Sequence, residues 1–363
     1  MKVVLDGLML FLNNGQVGNH SRSIVDNLIK YSNLDLDIIK DYEITSKDYL
    51  KNSVELFLDR KSNDYSNLSF LLKNTDYNLY HCLNNGFSIP KNFDFNYVMN
   101  VNNLLPMYDE SLCSMNYVSN FFSKLPYGVL NSSCIICPSV STKNFFLEKF
   151  SIDEDKIFVN YGVVSNFYMK GDKFLSSVYI KSKFEIEDEY IVFSGDFHER
   201  KKIEKSLILF CDLKKQISNL KFLILSHDFK SLKYFDFLKD ISKKLNISED
   251  IIYVSNPSIM DKVNIFNNCL FFIDLSVYED VNIDIVEAFS CNTPIICSEI
   301  NLYKEYFGDL VFYYNGKLDY LSILDFVYNY RLHNSDFVLD KFRSDISLAS
   351  NLNVYNKFRE NIW

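Results

Sequence analysis

YEDVNIDIVEAFSCNTPIICSE, residues 278–299, joins a helix to a strand, and a further apolar run, CLFFIDLS, precedes it. VNIDIVEAFSC carries its apolar residues at helical spacing, while TPIICSE is a short β-branched run bounded by turn residues. Strand, loop, helix and strand therefore follow one another, the unit of a parallel sheet. Glu279 ends the strand-to-helix loop and Glu287 lies one to two turns into the helix. That spacing can point two carboxylates at two parts of one extended ligand.

The same alternation extends in both directions. Upstream of it, EYIVFSGD, KFLILSHD and IIYVS read as strands. KKIEKSLILFCDLKKQ, DFLKDISKKLNI and SIMDKVNIFNN read as helices. In the first half KVVL, DYNLYHC, NYVMNVN, SSCIICPS and KIFVNYGV read as strands. The loop NNGQVGNH leads to a helix expected from Ser21 to Tyr31, and STKNFFLEKF to one opening on a Ser-Thr cap. Between the series, SNFYMKGDKFLSSVYIKSKFEIED loses periodicity and reads as an irregular junction. The expectation is an α/β chain with a first doubly wound domain over 1–170, a linker over 171–187 and a second over 188–345. A terminal helix over 346–363 is expected to cross back to the first domain.

The 363 residues exceed what one core usually fills. With 48% hydrophobic and 23% charged residues the chain is a folded one, and a net charge of −9 gives no basic field for nucleic acid. No run of about 18 apolar residues occurs, nor a basic start followed by a signal-type core. The eight cysteines sit inside apolar runs, so Cys134 and Cys137 read as strand core rather than zinc ligands. A reducing, cytoplasmic setting follows as an expectation, with contact at the inner face of a membrane left open.

In an open parallel sheet, ligands gather outside the carboxyl ends of strands. Three loops there carry the candidates. NNGQVGNH brings Gly15 and Gly18, which allow close backbone approach. SGDFHERKK places Gly195 at a strand end and Arg200, Lys201 and Lys202 before a helix, which suits an anion. The third is the stretch with Glu279 and Glu287. An asymmetric set of bland alternatives goes with them: a glycine turn, a solvated basic helix start and two surface glutamates.

The joint order of these pieces resembles the retaining glycosyltransferases of family four. Their signature runs E-G-F-G-L-P-x-x-E-A-x-A-C-G-T-P-V-I, matched here at Glu279, Glu287, Ala288, Cys291, Thr293, Pro294 and Ile296. SGDFHERKKIEKSL is similar to the family's G-x-x-x-x-R-K-x stretch, and QVGNHSRSIVDNL to its opening G-I-G-R-Y-x-R-x-L. The resemblance implies the GT-B fold, two Rossmann-like domains facing across a cleft. It implies a nucleotide sugar, UDP- or GDP-linked, on the second domain and an acceptor on the first: a glycan, a lipid-linked saccharide or a protein. Glu287 would hold the ribose hydroxyls, Glu279 the donor sugar, and Arg200 and Lys201 the diphosphate as it leaves. Gly18, Gly195, Asn282 and Ile283 would line the donor. Neither metal nor other cofactor is implied.

The family's T-I-H-D-L-I-P-L stretch is NVNNLLPM here, so Asn102 stands in the histidine's catalytic place and Asn103 beside it on the acceptor side. An asparagine hydrogen-bonds but takes up no charge near neutral pH. Asp280, Asn282 and Asp284 replace the loop glycines and the proline, and Asn292 replaces the glycine before Thr-Pro. His81 is a further acceptor-side candidate, His198 a phosphate candidate and His20 a packing residue. Two functions stay open: a transferase, or a non-catalytic GT-B partner of an active glycosyltransferase.

Overall fold

A computed structural model of the chain describes residues 1–7, 10, 15–40, 53–55, 65, 68–227, 233–317, 320–330 and 336–359. The chain divides into two units, Met1–Val163 with Lys341–Trp363, and Val164–Asp340.

In the first unit, β1 (Lys2–Asp6), β2 (Asp35–Lys40), β3 (Ser53–Glu55), β4 (Leu79–Cys82), β5 (Tyr97–Asn100), β6 (Cys134–Cys137) and β7 (Ile157–Val159) form one parallel sheet in the order β3-β2-β1-β4-β5-β6-β7. The strand order reverses between β1 and β4, the switch point of a doubly wound sheet. Strands such as VVL and CIIC are apolar on both faces because helices cover both faces. α1 (Gln16–Tyr31) buries Ile24, Val25 and Leu28 against Val3, Leu5, Val98 and Ile136. α2 (Met115–Asn131) and α3 (Val140–Lys149) follow in chain order.

Three local readings change. α1 starts at Gln16 rather than Ser21, so Gly18 lies in its first turn and not in a loop. Gly15 takes the extended N-cap conformation and its carbonyl accepts from Asn19 N at 2.9 Å. Residues 13 and 14 of that loop lie outside the described residues. The cap of α3 is Ser139, whose hydroxyl accepts from Thr142 N at 3.0 Å, and not the Ser-Thr pair two residues on. β2, β3 and α2 carry no clean period: β2 alternates Asp with Leu and Ile, and α2 contains Pro126.

In the second unit, β8 (Tyr190–Ser194), β9 (Lys221–Ser226), β10 (Ile251–Ser255), β11 (Phe272–Asp274), β12 (Ile295–Cys297) and β13 (Phe312–Tyr313) form a parallel sheet ordered β10-β9-β8-β11-β12-β13. Its switch point lies between β8 and β11. The junction expected to be irregular contains α4 (Lys173–Phe184), capped by Asp172, which accepts from Phe174 N at 2.8 Å and Leu175 N at 3.1 Å. Its outer face exposes Phe174, Leu175 and Val178, which hid the helical period. α5 (Ile203–Lys214), α6 (Ile259–Asn268), α7 (Ile283–Ser290) and α8 (Asn301–Phe307) pack around the second sheet. α4 lies on α6, where Tyr179 donates to Asp261 at 2.8 Å. α9 (Ser344–Arg359) returns to the first unit, where Asn27 Nδ2 donates to Ser344 O at 2.8 Å and Ser350 Oγ to Val159 O at 2.7 Å.

Candidate functional site

The switch point of the second sheet brings together the loops after β8 and β11, tied by Val277 N donating to Arg200 O at 2.9 Å. β8 ends at Gly195, where an added Cβ would meet Phe193 Cζ at 3.2 Å and Lys201 Cε and Nζ at 3.4 Å. Its φ of +157° is one that glycine adopts readily and other residues rarely do. Lys201 is fully buried, a placement open to a lysine only with counter-charges at hand. Its Nζ lies 2.8 Å from Glu279 Oε1 and 3.2 Å from Asp274 Oδ2.

Asp274, at the end of β11, is saturated: Oδ1 accepts from Ser276 N at 2.9 Å and from the Ser276 hydroxyl, and Oδ2 from Lys201 and from Asn282 Nδ2 at 3.0 Å. Arg200 grips Asp196 with both terminal nitrogens, at 2.8 and 3.1 Å, and its Nε is 3.5 Å from Glu279 Oε1. Burial works against charge on Lys201, but Asp274 and Glu279 override it and raise its pKa. Burial likewise opposes charge on Asp196, and Arg200 and Lys201 hold it well below the usual carboxylate range. For Glu279 burial wins and its pKa is raised despite Arg200 and Lys201. Among the described residues Glu279 Oε1 accepts no aligned hydrogen bond, so its contact with Lys201 is ionic in character.

A second cluster lies one helix away. Asp284 and Glu287, three residues apart on α7, share the ammonium of Lys262, which contacts Asp284 Oδ1 and Glu287 Oε2. The Tyr168 side chain also faces Glu287. Burial pushes the Glu287 carboxyl up to about 7, against the pull of Lys262 and with the repulsion of Asp284. Burial also opposes charge on Lys262, and Asp284 and Glu287 raise its pKa well above a lysine's ordinary value. No motif pointed to Lys262. The only signal was a lysine in the first turn of a helix that begins at a strand's carboxyl end.

Glu279 and Glu287 therefore sit in separate ionic clusters rather than side by side. Asn282 is wholly buried, capping α7 by accepting from Ile285 N at 3.3 Å and donating to Asp274 and to Tyr303 OH at 2.8 Å. It shapes the loop, and Ile283 is buried beside it. Asp280 accepts from the Tyr278 hydroxyl at 2.7 Å. His198 Nδ1 accepts from Arg200 N at 3.2 Å, a cap rather than an open ring. Among the described residues around this sheet edge, Arg200, Lys201 and Lys262 pair with five carboxylates: Asp196, Asp274, Glu279, Asp284 and Glu287.

The first unit places its candidates differently. Asn102 is buried, its Nδ2 donates to Leu83 O at 3.0 Å, and its Oδ1 has no hydrogen-bond partner among the described residues. Asn103 Oδ1 accepts from Leu105 N at 2.9 Å, opening a helical turn, and its carbonyl accepts from Asn85 Nδ2 at 2.8 Å. His81, an acceptor-side candidate, is fully buried, with Nδ1 2.6 Å from Tyr355 OH and Nε2 2.7 Å from Asn100 Oδ1. Both ring nitrogens are thus used within the core, between β4, β5 and α9. His20 packs as expected, Nε2 3.0 Å from Asn160 O. It lies where a Cβ on Gly162 (φ +83°) would come within 2.7 Å of its ring. Burial lowers the pKa of both histidines to about 4.

Among the described residues no helix is long and apolar enough to cross a membrane, and no group of three or more His, Cys, Asp and Glu is placed to hold a metal ion. All eight cysteines are free thiols.

Residues 179–318 match the model of the family described as glycosyl transferases group 1. No curated protein matches the chain by sequence. Among solved structures it is similar to sucrose-phosphate synthase from Thermosynechococcus elongatus, at TM-score 0.78 and 12% identity over 99% of this chain and 100% of that one. The Anabaena protein HepE in complex with UDP and glucose gives TM-score 0.70 at 12% identity over 100% and 99%. WaaG, a glycosyltransferase involved in lipopolysaccharide biosynthesis, gives 0.66 at 11% over 98% and 95%. The chain has the GT-B fold, and its second unit carries the group 1 glycosyltransferase match that the motifs implied.

Proposed function

We propose that the protein is a retaining glycosyltransferase that takes a UDP- or GDP-linked sugar at the carboxyl edge of the second sheet. The observation that carries this reading is Lys201, a fully buried ammonium at the sheet's switch point, held by Asp274 and Glu279. Ion pairs of this kind cost desolvation and are weak devices for stability alone. A diphosphate entering the site would draw Lys201 and Arg200 from carboxylates of this chain onto its own oxygens. Preorganised charge of that sort stabilises a leaving group as it forms. Glu287 would accept from the ribose hydroxyls, and Glu279 would face the sugar. In the first unit, the unpartnered Asn102 oxygen would accept from a sugar hydroxyl. The HepE structure, with UDP and glucose bound to the same fold, supports a nucleotide sugar as ligand. The acceptor we propose is a glycan, a lipid-linked saccharide or a protein, met without a metal.

The excess of carboxylates over cations favours a second reading, a GT-B subunit that binds an active glycosyltransferase and transfers nothing itself. Nucleotide release from UDP- and GDP-sugars, measured with and without candidate glycan acceptors, separates the two. Turnover lost in both Lys201→Ala and Glu287→Ala supports the transferase. Turnover unchanged in both sinks the site, and no turnover in the wild type, with a stable complex to a second glycosyltransferase, establishes the subunit.

A further inference from the structure

Asp284 and Glu287 stand on one face of α7, with side chains 8% and 13% exposed. Two carboxylates so placed repel in a poorly hydrated setting, and burial alone would drive one to protonate. A protonated Glu287 would accept poorly from a pair of hydroxyls. Lys262 is what opposes this. It comes from the first turn of α6, a helix fixed by a capping box between Ser258 and Asp261. Its ammonium contacts one oxygen of each carboxylate and sits 5.6 Å from the Tyr168 ring centre and 5.7 Å from that of Phe266.

We infer that Lys262 is the positioning residue of the nucleotide site, keeping the Glu287 carboxylate charged and turned to accept from the vicinal hydroxyls of a ribose. The inference rests on the reading of Glu287 as the ribose-holding residue. Asp284, standing where the resembling family has proline, is the counterpart that makes Lys262 necessary. The groups facing Glu287 are Lys262 of α6, Tyr168 before α4, Asp284 of its own helix and Cys291 beyond it; Lys201 and His227 face Asp284 from behind.

UDP and GDP binding to the full-length protein, measured by calorimetry from pH 6 to 9, tests this. Wild-type affinity is expected to rise with pH through about 7, as Glu287 ionises. In Lys262→Met the midpoint should move up by about one pH unit or more, weakening binding at pH 7 roughly fivefold or more. Lys262→Arg should stay near wild type. Lys262→Met/Asp284→Asn removes both charges and should fall between wild type and the single variant. If the single variant does not fold, the double decides, because replacing a buried pair together is often tolerated.

An unchanged midpoint in whichever of these folds overturns the inference, provided Glu287→Gln has lost binding and its pH dependence. Binding by Glu287→Gln equal to wild type would instead overturn the ribose reading itself. Absence of nucleotide binding by the wild type would overturn both.

Discussion

The two sheets end differently. At the carboxyl edge of the second, buried polar groups are ions matched to ions: Lys201 with Asp274 and Glu279, Arg200 with Asp196, Lys262 with Asp284 and Glu287. At the edge of the first they are mostly amides, hydroxyls and imidazoles, with one buried carboxylate, Asp6: Asn102 with Leu83, Ser88 with Asp6 and Asn84, His81 with Asn100 and Tyr355. An ionic edge can exchange one of its own carboxylates for a phosphate. An edge of mostly neutral groups offers single hydrogen bonds, which suit sugar hydroxyls. In the proposed reading the charged leaving group and the neutral acceptor are sorted by this contrast.

The contrast breaks most visibly at Lys201. Lys201→Ala leaves Asp274 and Glu279 buried without their cation, a loss of about 3–5 kcal/mol in chemical denaturation. Loss below about 1 kcal/mol would mean that the ammonium is dispensable and the edge is not ionic in the sense argued. Gly195→Ala comes next: its Cβ must press on Phe193 and its φ of +157° is strained for an L residue, expected to cost about 1–3 kcal/mol and to weaken nucleotide binding. Full stability and affinity in that variant would show that the loop after β8 does not depend on glycine here. Asn102→Ala on the first edge removes the amide that donates to Leu83 O, about 1 kcal/mol. It should leave nucleotide affinity unchanged while lowering transfer; equal loss of both would place Asn102 with the donor.

The pH responses should have opposite signs. His20 and His81 are held neutral with pKa values near 4 against an ordinary 6.5, so their contribution is present above 6.5 and lost as pH falls toward 4. Glu287 is raised from 4.5 to about 7, so its contribution is present at low pH and lost as pH rises through 7. Hydrogen exchange resolved by peptide from pH 5 to 8 should show protection rising with pH along β4 and α1 and falling along α7. The same sign in both would contradict the assigned environments.

What the sequence showed follows from the same physics. β8, β9, β10 and β11 were readable because buried parallel strands are unbroken apolar runs. β2 was not, since DLDIIK alternates acids with apolar residues, nor was α4, whose outer face exposes Phe174 and Leu175. Arg200, Lys201 and Glu279 could be singled out because they lie in short connections after strands, and Glu287 because it follows one of them in the first turns of α7. Their partners could not: Asp274 ends a strand as if it were core, and Lys262 lies in an ordinary amphipathic helix. His81, by contrast, is a chemically capable residue at a strand end whose two ring nitrogens lie against Tyr355 and Asn100.

Thermal unfolding of the wild type and Glu287→Gln with UDP, GDP and their sugars tests the nucleotide site most directly. A ligand at a hundred times its dissociation constant adds about 2.7 kcal/mol to the native state, a shift of a few degrees for a chain of this size. The prediction is a shift with one nucleotide sugar in the wild type and none in Glu287→Gln. No shift in the wild type with any of them, or equal shifts in both proteins, would contradict it.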